Sequence, residues 1–150
     1  MNVSSRDEIR ILEKAAYIEE ALTVLARKQA LDAETCQNNR EERAIVEREF
    51  QTAIEACLDI AGILIVGADA PMPETYAGRF TTLYELDLLS HETSERMRQA
   101  AGFRNVLAHN YGSDIDDTAV YRHLQTELEW FVRYLREIKD VLEHSSAENS

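Results

Sequence analysis

Apolar residues in this chain recur at steps of three and four almost from end to end, the spacing that lays them along one face of an α-helix. Ile11, Ala15, Ile18, Leu22 and Leu25 form one such stripe. Val46, Phe50, Ala53, Ile54, Cys57, Leu58, Ala61 and Leu64 form a second, which becomes apolar all round after Ile60. Val120, Leu124, Leu128, Phe131, Leu135, Ile138 and Leu142 form a third. Only 5 glycines and 2 prolines interrupt the 150 residues, too few for a collagen or a turn-rich β sandwich. No internal repeat is visible, which excludes a solenoid.

The element boundaries follow from capping chemistry. The first helix is predicted over 5–31, capped by Ser4 or Ser5, with Asp7 and Glu8 favouring its positive end. Residues 32–40 are polar and read as a loop. The second helix is predicted over 41–66, stopped at Gly67, with Pro71 and Pro73 keeping the next stretch extended. A short helix is predicted over 76–84. A further helix starts at a Ser90 cap and ends near His109, where Asn110 and Gly112 are stop residues. One last long helix follows acidic cap candidates at 114–117. Residues 1–144 therefore read as a single all-α domain, an up-and-down antiparallel bundle of four main helices plus one short helix. Residues 145–150 read as a disordered tail.

Composition narrows the setting. With 45% apolar and 29% charged residues, the chain can fill one core. Its 2 cysteines exclude a disulfide-dense scaffold; Cys57 reads as a small core residue, and Cys36, in the polar stretch, as a lesser candidate for reactivity. The longest uncharged apolar run, Ile60 to Ala68, is less than half of the roughly twenty residues a membrane span needs. The polar N-terminus has no signal-peptide core. The expectation is a soluble, cytoplasmic protein without a membrane partner. The formal net charge of −12 repels nucleic acid at long range. The 16 basic residues are mostly arginine, and an acidic, lysine-poor surface would suit a high-salt cytoplasm as well as ordinary solubility.

No P-loop, HExxH or Glu-x-x-His pattern occurs, and no Cys/His pair has zinc-finger spacing, so no metal or cofactor is expected. One run stands apart: Arg104-Asn105-Val106-Leu107-Ala108-His109-Asn110-Tyr111. It brings a guanidinium, an amide, an imidazole and a phenol to one helix end. Asn105 and His109, four apart, share a helix face, and Arg104 can swing its long side chain towards it. A near-neutral proton shuttle beside a bidentate phosphate binder supplies two of the parts needed for phosphodiester cleavage without a metal. Arg-x4-His alone is a weak signal; Asn after the Arg and Tyr two beyond the His make it far more specific.

Arg-Asn-x3-His-x-Tyr ahead of the last helix of a small helical chain resembles the HEPN superfamily, and more narrowly the HepT-type toxins paired with a minimal nucleotidyltransferase (MNT) antitoxin. Residues 47–60, Pro73-Glu74-Thr75-Tyr76 ahead of Phe80 and Leu83, and Phe103 before the Arg extend the resemblance over nearly the whole chain. The resemblance implies a metal-independent endoribonuclease toxin, acting as a homodimer on RNA such as tRNA or mRNA. It makes Arg104, Asn105 and His109 the catalytic residues, with 2′,3′-cyclic phosphate products. It makes Tyr111 the position that the antitoxin AMPylates.

A plainer reading stands beside it. Arg104 can be an ion-paired surface residue, His109 a helix-end residue and Tyr111 a half-buried aromatic. His91 and His123 stand alone and read as surface or interface residues. Tyr17, Tyr84, Tyr121 and Tyr134 fall at core-like spacing. The alternative function is a non-catalytic nucleotide-binding or partner-scaffold module, which the net negative charge favours.

Overall fold

The structure is a computed structural model that describes residues 2–109 and 117–149, and among these all regular structure is helical. In chain order the helices are α1 (Ser5–Lys28), α2 (Ala33–Asn38), α3 (Arg40–Gly67), α4 (Tyr76–Glu85), α5 (His91–His109), α6 (Asp117–Thr126) and α7 (Leu128–Asn149). The all-α expectation holds; the count of four main helices and one short one does not, for reasons that lie in caps and kinks.

Each early start is fixed by a side-chain cap. Ser4 accepts from the Asp7 amide at 3.1 Å, and Ser90 accepts from the Thr93 amide at 3.2 Å. The stretch 32–40, predicted as a loop, holds α2 because it carries two caps in succession. Asp32 accepts from the Thr35 amide at 2.8 Å and Asn39 from the Glu42 amide at 3.1 Å. α2 has one buried residue, Cys36, so that thiol sits in the core rather than in an exposed loop.

Two helix ends are closed by aspartates in the left-handed conformation. α3 ends at Gly67, where the sequence placed its stop, and the left-handed turn that closes it is made two residues later, where Asp69 takes a φ of 57°. The Ala70 amide reaches Ile65 O at 3.2 Å and the Asp69 amide reaches Val66 O at 3.0 Å, the paired bonds of a Schellman end. Asp87, with φ 61°, closes α4 in the same way. Aspartate side chains tolerate this left-handed turn, so it needs no glycine.

The last long helix is broken at Glu127. Gln29 of α1 donates to Leu124 O at 2.9 Å, and Thr126 Oγ1 bonds back to Arg122 O at 2.8 Å. Both take carbonyls that the helix would otherwise use or strain, and such competition bends helices. Beyond the break α7 runs through Asn149, so helix continues past the predicted start of a tail at residue 145. Ser145 is buried, and its hydroxyl accepts from the Val3 amide at 2.6 Å, tying the two ends of the chain together.

α3 is the centre of the bundle. It lies antiparallel to α1, as the Lys28–Glu42 (2.7 Å) and Lys14–Asp59 (3.2 Å) ion pairs at opposite ends require. It is long and apolar enough to cross a membrane, but 61% of that apolar window is buried inside the bundle, as in a core helix. Tyr134 of α7 donates its hydroxyl to Cys57 O at 2.8 Å, and the Phe80 ring of α4 meets the Tyr134 ring edge-on at 5.6 Å. Of the tyrosines predicted at core spacing, Tyr134 is fully buried, Tyr121 half-buried, and Tyr17 and Tyr84 exposed.

Candidate functional site

At the end of α5 that carries the predicted run, Phe103 and Leu107 stay in the core while the other face turns outward. Phe103 turns inward: its ring stacks on His123 of α6 at 3.9 Å and meets Phe50 of α3 edge-on at 5.5 Å. His123 is therefore not a lone surface residue. Burial, opposed by the Glu127 carboxylate and reinforced by Arg122, holds its imidazole below the ordinary value of 6.5.

Arg104 turns the other way, towards α3 and α4. Its Nη2 donates to Glu55 Oε1 at 3.0 Å, and the same oxygen accepts from Gln51 Nε2 at 3.2 Å. Gln51 and Glu55 are four apart on α3, so one helix face supplies both groups. The Arg104 guanidinium carbon lies 5.2 Å from the ring centre of Tyr76, the first residue of α4. Its side chain is only 18% exposed, and its Nε is buried with no hydrogen-bond partner among the described residues. A guanidinium this enclosed has a fixed direction, which a bidentate anion binder requires.

A second arginine reaches the same ring. Arg79 of α4 lies three residues after Tyr76 and places its guanidinium carbon 5.1 Å from the ring centre. Its Nη1 donates to Leu58 O of α3 at 3.0 Å. Gly62 clears the path: a Cβ there would stand 3.0 Å from that same Nη1. Tyr76, which both cations approach, is 44% exposed.

The predicted residues are thus placed unequally. Arg104 is held by Glu55 and Tyr76. Asn105 is exposed on α5, and His109 is the last residue of that helix. Arg104 does not swing to the Asn105 face; it is committed to α3 and α4. The side chain of His109, and Asn110 and Tyr111 entirely, lie outside the described residues. Glu55, Tyr76 and Arg79 were not singled out as site residues by the sequence. Tyr76 and Arg79 are i and i+3 at a helix start, a pattern too common to mark a site, and Glu55 sits within an apolar stripe that reads as core. Among the described residues no three His, Cys, Asp or Glu side chains gather as metal ligands.

An all-helical bundle with an Arg-Asn-x3-His run closing one of its central helices is of the HEPN class. The chain belongs to the family described as Ribonuclease HepT-like, which matches residues 11–138. It is 26% identical over 134 residues to a candidate RNase of Archaeoglobus fulgidus, covering 89% of this chain and 94% of that protein. It is 28% identical over 90 residues to the mRNA nuclease HepT of Shewanella oneidensis, covering 60% of this chain and 67% of that one. A tri-AMPylated HEPN toxin of Shewanella oneidensis, solved in complex with an MNT antitoxin, shares the fold with a TM-score of 0.79 and 24% identity, over 87% of this chain and 97% of that one.

Proposed function

We propose that this protein is a metal-independent endoribonuclease toxin. The observation that carries the reading is the run Arg104, Asn105, His109 and Tyr111 in a chain of the HepT-like family, with Arg104 held in a fixed direction at the edge of the bundle. His109 acts as general base on a ribose 2′-hydroxyl and as general acid to the leaving 5′-oxygen. The 2′-oxygen bonds to phosphorus as the bond to the 5′-oxygen breaks, leaving a 2′,3′-cyclic phosphate and a 5′-hydroxyl. Arg104 stabilises the charge that accumulates on the phosphoryl oxygens. Asn105 orients the phosphate or the imidazole. The active form is a homodimer with two copies of the motif facing one cleft.

The Glu55 contact fits this role. A half-buried guanidinium without a counter-ion would be costly, and the exposed Glu55 carboxylate supplies one that an incoming phosphate can replace. The partner is an MNT-type nucleotidyltransferase that transfers AMP to the Tyr111 hydroxyl. The adenylyl phosphodiester adds negative charge and bulk beside the phosphate site and keeps RNA out.

Incubation of the purified protein with RNA, with product ends mapped chemically, tests the reading. His109→Ala and Arg104→Ala each abolish cleavage while the far-UV spectrum and the oligomeric state stay unchanged. Undiminished cleavage by a folded His109→Ala protein would overturn the catalytic assignment. Micromolar nucleotide binding without any RNA turnover would favour the binding-module alternative. Intact mass after co-expression with the nucleotidyltransferase is expected to rise by whole AMP units carried on Tyr111.

A further inference from the structure

Arg79 is an arginine without an anion. Among the described residues no carboxylate comes within 4.0 Å of it, although acidic residues outnumber basic ones 28 to 16 in the chain. Arg104, whose guanidinium meets the same Tyr76 ring, has Glu55. Arg79 is nevertheless fixed: one nitrogen is spent on Leu58 O, the ring of Tyr76 lies against it, and the missing side chain of Gly62 leaves room for it. The remaining N–H groups of its fork make no hydrogen bond among the described residues and belong to a half-buried side chain at the edge of an exposed ring. Because both guanidinium carbons lie close to 5 Å from one ring centre, they are at most about 10 Å apart.

Resting on the ribonuclease reading above, we propose that Arg79 binds a second backbone phosphodiester of single-stranded RNA, next to the one that Arg104 engages, with Tyr76 as the spacer that sets the distance between them. The site takes the RNA backbone and not a base, since the phosphate fork is what both arginines share. It also answers the charge problem: a chain with a net charge of −12 gathers RNA by a short local cationic rail and not by its overall field. Arg79 is a positioning residue and takes no part in proton transfer.

The test uses a labelled single-stranded RNA of mixed sequence and the His109→Ala protein, which binds without cutting. Affinity is measured across a salt series with and without Arg79→Gln. Loss of one phosphate contact lowers the slope of log affinity against log salt by about 0.7 for a single strand. Affinity at fixed salt is expected to fall about tenfold, and Arg79→Lys is expected to keep the slope. With His109 intact, Arg79→Gln raises KM about tenfold while kcat changes less than about threefold. An arginine-selective dicarbonyl reagent on the unsubstituted full chain gives a readout that does not depend on a variant folding: RNA protects Arg79 from modification, as mapped by peptide mass. An unchanged slope in a folded Arg79→Gln protein, or no protection of Arg79 by bound RNA, overturns the proposal and leaves Arg79 a strut between α4 and α3. A His109→Ala protein that binds no RNA at any salt overturns the ribonuclease reading itself, and this inference with it.

Discussion

Two aromatic rings in this bundle are each flanked by a pair of arginines, and they differ in what surrounds them. Trp130 of α7 lies under Arg96 (4.9 Å) and Arg133 (4.6 Å), and it is 7% exposed. Tyr76 of α4 lies under Arg79 and Arg104 at similar distances, but it is 44% exposed. Around Trp130 the arginines serve as covers: their stems and planes seal a ring that already packs in the core, and Arg133 finishes in a loose surface pair with Glu92 at 3.6 Å. Around Tyr76 the ring serves the arginines, spacing two cations whose own anchors lie on α3. The same cation–π contact, worth about 0.5–1 kcal/mol at exposed sites and more when desolvated, thus closes a core in one place and presents charge in the other. The contact type does not distinguish a site from a seal; the exposure of the ring and the destination of the guanidinium do.

The largest expected effect separates the two clusters by activity. Arg104→Ala lowers RNA cleavage at least about 100-fold, as loss of a group that meets developing charge does, whereas Arg133→Ala leaves cleavage within about twofold. Cleavage rates on one RNA with matched folded proteins check this. Equal losses for both would mean that the Trp130 cluster also touches substrate.

Stability separates them in the opposite direction. Trp130→Ala is expected to cost about 3 kcal/mol, because it empties a buried site, a fall in Tm of roughly 6–12 °C for a chain of this length. Tyr76→Ala is expected to cost less than about 1 kcal/mol, since much of its ring already faces water, and to weaken RNA binding instead. Thermal melts of the two variants settle the order. A Tyr76→Ala loss as large as that of Trp130→Ala would make Tyr76 a core residue.

The buried side carries a pH dependence. The unfolded His123 takes a proton near its ordinary value of 6.5, and the folded imidazole, desolvated by burial, takes it only at lower pH. Between those two values the unfolded chain binds more protons, so stability falls as pH drops below 6.5 and is fully retained above it. Melting curves across that window are expected to show the fall, and His123→Phe, which keeps the stack on Phe103, is expected to flatten it. A fall of the same size in the variant would assign the dependence to carboxylates elsewhere.

The parts of this molecule that were legible in the sequence are those fixed locally. The stripes of α1 and α3 set their buried faces, and Ser4 and Ser90 mark helix starts because a cap needs only its own next three residues. The Arg104 to Tyr111 run was legible because four reactive side-chain types fall within eight positions. What escaped was set by partners distant in the chain. The break at Glu127 depends on Gln29, 95 residues before Leu124, and the burial of Ser145 depends on Val3. Glu55, Tyr76 and Arg79 gather with Arg104 only because α3, α4 and α5 bring them together, and nothing in their own neighbourhoods marks them. α2 was legible in principle, since Asp32 and Asn39 are both cap residues, but the surrounding polar composition argued for a loop.

The smallest expected effect tests how the Tyr76 cluster is held. At Gly62, an added methyl would stand 3.0 Å from Arg79 Nη1 and 3.9 Å from Met72 Cε. The first of these is the end of a long side chain, and a shift of a few tenths of an ångström relieves it without breaking its bond to Leu58 O. Alanine in place of glycine within α3 gains about 0.5–1 kcal/mol of helix propensity. Gly62→Ala is therefore expected to melt slightly higher than the unsubstituted protein and to bind RNA less than about threefold more weakly, because Arg79 keeps its charge and moves little. A loss of more than about 1 kcal/mol in denaturant titration would show Arg79 wedged against α3 as rigidly as a core group. The two arginine-flanked rings would then be alike, both built for packing, and the contrast between seal and site would rest on Arg104 alone.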